Sequence, residues 1–206
     1  MLSEVLAHLV PATQDTLWKS SSLETAGVFE RICAFQTTSM VTVLFPSDDV
    51  SSPSEVMSAE VLIINSHHVN EFDLDAPEKS WTRLENTKYG RQYHACTVGS
   101  YQGHQGIFVT GGSNSGHTKV EFFVETLKKW RVLRTMSTDR RYHTSSFIGG
   151  VIYSLGGDSS AAITHEMLNK TTDQWTTTNL RKHRKYHAGV SLPAGTLTCF
   201  GGDNLG

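Results

Sequence analysis

Cysteine is scarce in this chain: Cys33, Cys96 and Cys199 are odd in number and far apart among 206 residues. A small secreted scaffold stapled by disulfides needs a dense, even set, so that class is excluded and a reducing, cytoplasmic setting is expected. An excess of one charge is also missing. The 18 Lys and Arg stand against 20 Asp and Glu, giving a net charge of −2 and a pI near 6.5. Nothing global therefore drives the chain toward nucleic acid or an anionic membrane. No apolar run approaches the roughly 20 residues that span a bilayer. Residues 1–10 lack a basic start, and Glu4 and His8 interrupt their apolar character, so no secretory signal is expected. Catalytic signatures are absent too: there is no Gly-x-Ser-x-Gly elbow, Walker loop or His-Glu-x-x-His.

What the chain does have is a period. Gly-Gly pairs stand at Gly111-Gly112, Gly156-Gly157 and Gly201-Gly202, with spacings of 45 and 45. Each closes a short apolar run, at residues 107–110, 151–155 and 197–200. An Arg-x-Tyr-His element precedes each run, with Arg91, Tyr93 and His94 in the first, Arg140, Tyr142 and His143 in the second, and Arg184, Tyr186 and His187 in the third. Trp81, Trp130 and Trp175 keep the same beat, 13, 13 and 12 residues before the histidines. A degenerate copy lies upstream, where residues 61–64 are the apolar run and Asn65-Ser66 take the glycine place. Alternating short runs bounded by Gly, Ser, Asn and Asp read as β-strands, about four per cycle. Such a sheet is too small to bury its faces alone and must stack on its neighbours.

These residues resemble the Kelch-repeat family: a glycine doublet closing the second strand, an aromatic near the fourth, and an Arg-x-x-His-like element before the first. The resemblance covers roughly residues 59–206. It implies an all-β fold, a Kelch-type β-propeller of four-stranded antiparallel blades. The expected division is a flank over 1–58 (an eroded blade or disorder), a degenerate blade over 59–86, blades over 87–135 and 136–180, and a partial blade over 181–206. About three and a half blades are present, fewer than such rings use to close, so the array is expected to be incomplete, as a fragment or truncated gene product. In the flank, residues 1–10 read as a short helix ending at Pro11, residues 40–45 as a strand able to start the degenerate blade, and residues 47–54 as a loop.

The repeated polar residues first invite a catalytic or metal reading. His94, His143 and His187 occupy one place in successive repeats, which distributes them around a ring instead of converging them on a point, so a structural role is expected. Arg91, Arg140 and Arg184 can satisfy loop carbonyls with their guanidinium forks. The three tryptophans fit packing between blades. His94 with Cys96, or His67 with His68, lacks a second pair at zinc spacing. No cofactor and no metal are expected.

The links between repeats are rich in cations. Lys88, Arg91, Arg134, Arg140, Arg141, Arg181, Lys182, Arg184 and Lys185 lie there, against Glu85 and Asp139. In the Kelch resemblance these links share an end with the loops holding Ser113, Asn114 and Ser159, and ligands commonly bind at that end. The expected partner-binding set is therefore Lys88, Arg134, Arg141, Arg181, Lys182, Lys185, Ser113, Asn114 and Ser159. Its field favours an acidic peptide. The resemblance implies a protein-binding adaptor or scaffold, not an enzyme, with nucleic acid, membrane and small-molecule substrates not expected. The alternative is a fragment of a galactose oxidase-superfamily enzyme, an oxidase or sugar epimerase.

Overall fold

The computed structural model describes residues 33–35, 39–44, 60–73, 80–158, 161, 163–169, 171–192 and 195–202. Among them the regular structure is all-β, with only short 3-10 turns beside it. The stretches 1–10 and 47–54 lie outside the described residues. No helix among those described is long and apolar enough to cross a membrane.

Four antiparallel sheets follow one another along the chain. The first holds β1 (Cys33–Phe35), β2 (Ser39–Leu44), β3 (Glu60–Asn65), β4 (His68–Asp73) and β5 (Trp81–Arg83), in that order. The second holds β6 (Ala95–Tyr101), β7 (His104–Thr110), β8 (Val120–Val124) and β9 (Lys129–Val132). The third holds β10 (Thr144–Ile148), β11 (Val151–Leu155), β12 (Thr164–Asn169) and β13 (Gln174–Asn179). The last pairs β14 (Ala188–Leu192) with β15 (Thr196–Phe200). Strand order equals chain order in every sheet, so each is a meander. The first sheet draws β1 and β2 from before residue 59, and Met40 of β2 pairs with Ile64 of β3.

The core lies between sheets, because the strands are apolar on both faces. Along β7, Ile107 and Val109 join Phe123 of β8 in a cluster with Leu62, Ile64 and Val69 of the first sheet. Phe108, Phe122 and Val124 point the other way and meet Ile152 and Leu168 of the third. Phe108, Phe122 and Phe123 are fully buried, each worth about 1.5–3 kcal/mol in transfer terms. First strands approach most closely. A Cβ on Gly99 of β6 would come within 2.5 Å of the Phe147 ring of β10, so only glycine admits that ring. Phe147 in turn stacks on Phe108 at 5.7 Å.

Backbone bonds repeat at each junction. The Gly112 N–H donates to the Arg140 carbonyl at 2.7 Å, and the Gly157 N–H donates to the Arg184 carbonyl at 2.8 Å. Gly111 and Gly156, at φ of 59° and 62°, hold the left-handed turn that permits this approach. A Cβ at either would come within 2.4 Å of the same arginine carbonyl.

Candidate functional site

One end of each sheet is built from the links that carry the Arg-x-Tyr-His elements. Two arginines there are fully enclosed. Arg91 Nη1 donates to the carbonyls of Gly111 at 2.8 Å and Lys119 at 3.1 Å, and Nη2 donates to Glu121 Oε2 at 2.6 Å. Glu121 also accepts the Lys88 N–H at 2.7 Å. Arg140 repeats the pattern on the carbonyls of Gly156 at 2.7 Å and Thr164 at 2.9 Å, and on Glu166 at 3.2 Å. Glu166 accepts the Ser137 and Thr138 N–H groups at 2.6 and 3.0 Å. Both ion pairs have no exposed side-chain surface. Burial lowers both guanidinium pKa values, and each glutamate opposes that shift. These arginines are clamps of the link and are not available to a ligand.

All three histidines of the element are buried, and two of them bond to the preceding sheet. His143 Nε2 shares a hydrogen bond with Thr110 Oγ1, and His187 Nε2 with Thr144 Oγ1, both at 2.9 Å. Thr110 lies on a second strand and Thr144 on a first strand. They occupy the two sides of one repeated pair, Ala95↔Thr110 and Thr144↔Leu155. The corresponding pair in the first sheet, Met40↔Ile64, offers no hydroxyl, and neither ring nitrogen of His94 has a partner. Burial above all, and then a neighbouring arginine, pushes His94 down to about 3 and His187 to about 4. His143 is also held well below its usual value. All three are neutral at pH 7. Among the described residues no group of three or more His, Cys, Asp or Glu could hold a metal ion.

The tyrosines of the element form a ladder. The Tyr93 and Tyr142 rings lie 4.4 Å apart, as do those of Tyr142 and Tyr186. Each has left-handed backbone, at φ of 56°, 57° and 54°, which is rare for an aromatic residue. The Tyr142 N–H donates to the Tyr93 carbonyl and the Tyr186 N–H to the Tyr142 carbonyl, both at 3.1 Å. Burial and its two neighbours raise the Tyr142 phenol to about 12. Cations flank the ladder, with Arg141 over the Tyr142 ring at 5.7 Å and Lys185 over that of Tyr186 at 5.2 Å. The sequence shows the three tyrosines, but only the stacking of the sheets reveals them as one surface.

The expected partner-binding residues divide. Ser113 lies at this end, its N–H donating to the Gln92 carbonyl at 2.7 Å. Asn114 is exposed with φ of 63° in the same link. Arg141 is exposed and pairs with Asp158 at 2.7 Å. Lys88 sits over the Tyr89 ring at 5.6 Å, with Lys119 on the same ring at 5.5 Å. Arg181 and Lys182 line an open cleft beside β15 with Arg184 and Cys199. Arg134 turns elsewhere: its Nε donates to Asp173 at 3.3 Å, on the β12–β13 turn at the opposite end of the third sheet from Asp158. Ser159 lies outside the described residues.

The tryptophans tie each sheet to the one before. Trp130 Nε1 donates to the Glu85 carbonyl and Trp175 Nε1 to that of Arg134, both at 2.9 Å. No protein-family model matches the chain, and no curated protein sequence matches it either.

Proposed function

We propose that this chain is a Kelch-type propeller array that serves as a protein-interaction module, and that its link end receives an acidic segment of a partner protein. Successive four-stranded meanders support the architectural reading, with first strands facing one another and an Arg-x-Tyr-His junction repeated at each seam. One observation carries the functional reading: the ladder of Tyr93, Tyr142 and Tyr186 has Arg141 and Lys185 on its rings. Tyrosine and arginine are the residue types that anchor protein interfaces, offering a large apolar face with polar tips. Rings already in contact leave no gap for a nucleobase, which argues for a peptide over a nucleic-acid ligand. Lys88, Lys119 and Lys185 add positive field around the rim, and steering of this kind raises association rates more than final affinity.

The test is capture of a glutamate-rich peptide by the full chain, followed by fluorescence anisotropy. Paired reversal by Lys88→Glu and Lys185→Glu should weaken capture by at least about tenfold, and raising salt should do the same, since exposed charge is screened within about 8 Å at physiological ionic strength. Affinity that ignores both changes, or that is matched by a single-stranded oligonucleotide, defeats the reading.

A further inference from the structure

The enclosed Arg91–Glu121 pair has a second effect at the link end: it fixes the main chains of two lysines. Arg91 Nη1 donates to the Lys119 carbonyl at 3.1 Å, and Glu121 accepts the Lys88 N–H at 2.7 Å. The backbone of each lysine serves the clamp, and the side chains are left free of that task. Tyr89 is held as well, its carbonyl accepting the Thr87 hydroxyl at 3.1 Å. Both ammonium groups lie over its ring, Lys88 Nζ at 5.6 Å from the centroid and Lys119 Nζ at 5.5 Å.

Nothing in the repeat asks for this arrangement. The clamp of the third sheet uses the same backbone groups, from Ser137 and Thr164, and Thr138 stands in the place of Tyr89. All three are neutral. Lys128, Lys129, Arg134 and Arg141 each have a carboxylate within 3.4 Å. Among the described residues no carboxylate pairs with Lys88 or Lys119, and the charge of Glu121 is already matched by Arg91. Two like charges are thus gathered on one ring without a counter-charge, Lys88 exposed and Lys119 half-buried. An anion beside the ring would relieve their repulsion.

We propose that Lys88 and Lys119, gathered on Tyr89, are a phosphate subsite for a phosphoserine or phosphothreonine of the partner protein, a reading that rests on the link end receiving an acidic segment. A phosphomonoester brings roughly −1.5 to −2 charge at pH 7 and three acceptor oxygens, which matches two ammonium groups. A single carboxylate would leave one of them unmatched. An ammonium serves phosphate as a point charge, without the planar fork that favours carboxylate. Because the clamp holds the backbone and the ring holds the side chains, little freedom remains to be lost on binding. Anionic membranes are read by clusters of about 4–8 cations, and single-stranded nucleic acids by a groove that tracks the backbone. Two lysines on one ring fit a single phosphate.

The test uses three labelled glutamate-rich peptides, identical except for a central serine, phosphoserine or glutamate, titrated against the full chain by fluorescence anisotropy. The phosphoserine form should bind at least about tenfold more tightly than either of the others. Lys88→Gln with Lys119→Gln should erase that advantage with the strand signal in circular dichroism unchanged, since only side chains outside the clamp are altered. Lys185→Gln should weaken all three peptides alike and keep their ratio. Tyr89→Phe should preserve the advantage, and Tyr89→Leu should lose part of it. Equal binding of the three peptides overturns the subsite and leaves the link-end reading standing, whereas binding of none ends both. An advantage that survives the double lysine variant also overturns the subsite. So does stronger capture of phosphoinositide-containing phosphatidylcholine vesicles, or of a single-stranded oligonucleotide, than of the phosphopeptide.

Discussion

Among the described residues, Glu121 and Glu166 are the charged acceptors on the two enclosed guanidinium groups, and each also takes a backbone N–H of the incoming link. Removing one such partner strands a buried charge, whose cost exceeds the net worth of the pair. Glu166→Gln should therefore lower unfolding free energy by about 3–5 kcal/mol in urea titration. Lys129→Ala, which breaks the exposed pair with Glu85 at 3.4 Å, should change it by less than about 1 kcal/mol. The sequence reading reached the arginines of this device but not the glutamates. Arg91 and Arg140 recur beside Tyr-His and so announce themselves. Their partners lie 30 and 26 residues away, in strands whose other residues vary. A usable cue was present all the same: each glutamate stands ten residues past the first glycine of its pair.

At the scale of the strand, one requirement is met by two different sequences. Two of the three buried histidines take a hydroxyl from the preceding sheet, and either side of a cross-strand pair can offer it. Thr110 does so from β7 with Ala95 opposite, and Thr144 does so from β10 with Leu155 opposite. Thr144→Ala should cost about 1–3 kcal/mol, the penalty of an unsatisfied buried group, read as a shift in urea midpoint. Adding Leu155→Thr should recover part of that loss by returning the hydroxyl from the facing strand, so the double variant should be more stable than the sum of the singles allows. Strands closed by glycine pairs were legible because periodicity and punctuation agree there. The swap was not, because a residue-by-residue comparison of repeats sees only a threonine in the wrong column. In the first sheet the strand expected over 40–45 is β2, paired with β3, whereas β1 before it was not anticipated. Its opening strands lack the Arg-x-Tyr-His element that marks a first strand elsewhere.

For the molecule as a whole, stability is placed at the seams between sheets, where both hydrophobic clusters lie and where His143 and His187 bond across. Acid should act there. With the histidines depressed below 6.5, the unfolded chain binds more protons than the folded one, so stability is full above about pH 6.5 and falls as pH drops toward about 4 and then 3. Each histidine contributes a slope of about 1.4 kcal/mol per pH unit inside its window. Urea midpoints at pH 7, 6 and 5 should decline accordingly, and His187→Asn, which cannot titrate, should flatten the decline. That the sheets stack was legible from the repeat length, since about four short strands cannot bury their own faces, but the face each seam presents depends on closeness that no linear pattern records. The amides of Tyr142 and Tyr186 bridge those seams, each donating to the tyrosine of the sheet before. A strand-ladder amide loses its proton to solvent when its own sheet opens, whereas these two lose theirs when one sheet parts from the next. Deuterium uptake at the two tyrosines thus times the breathing of the stack separately from the fraying of its strands.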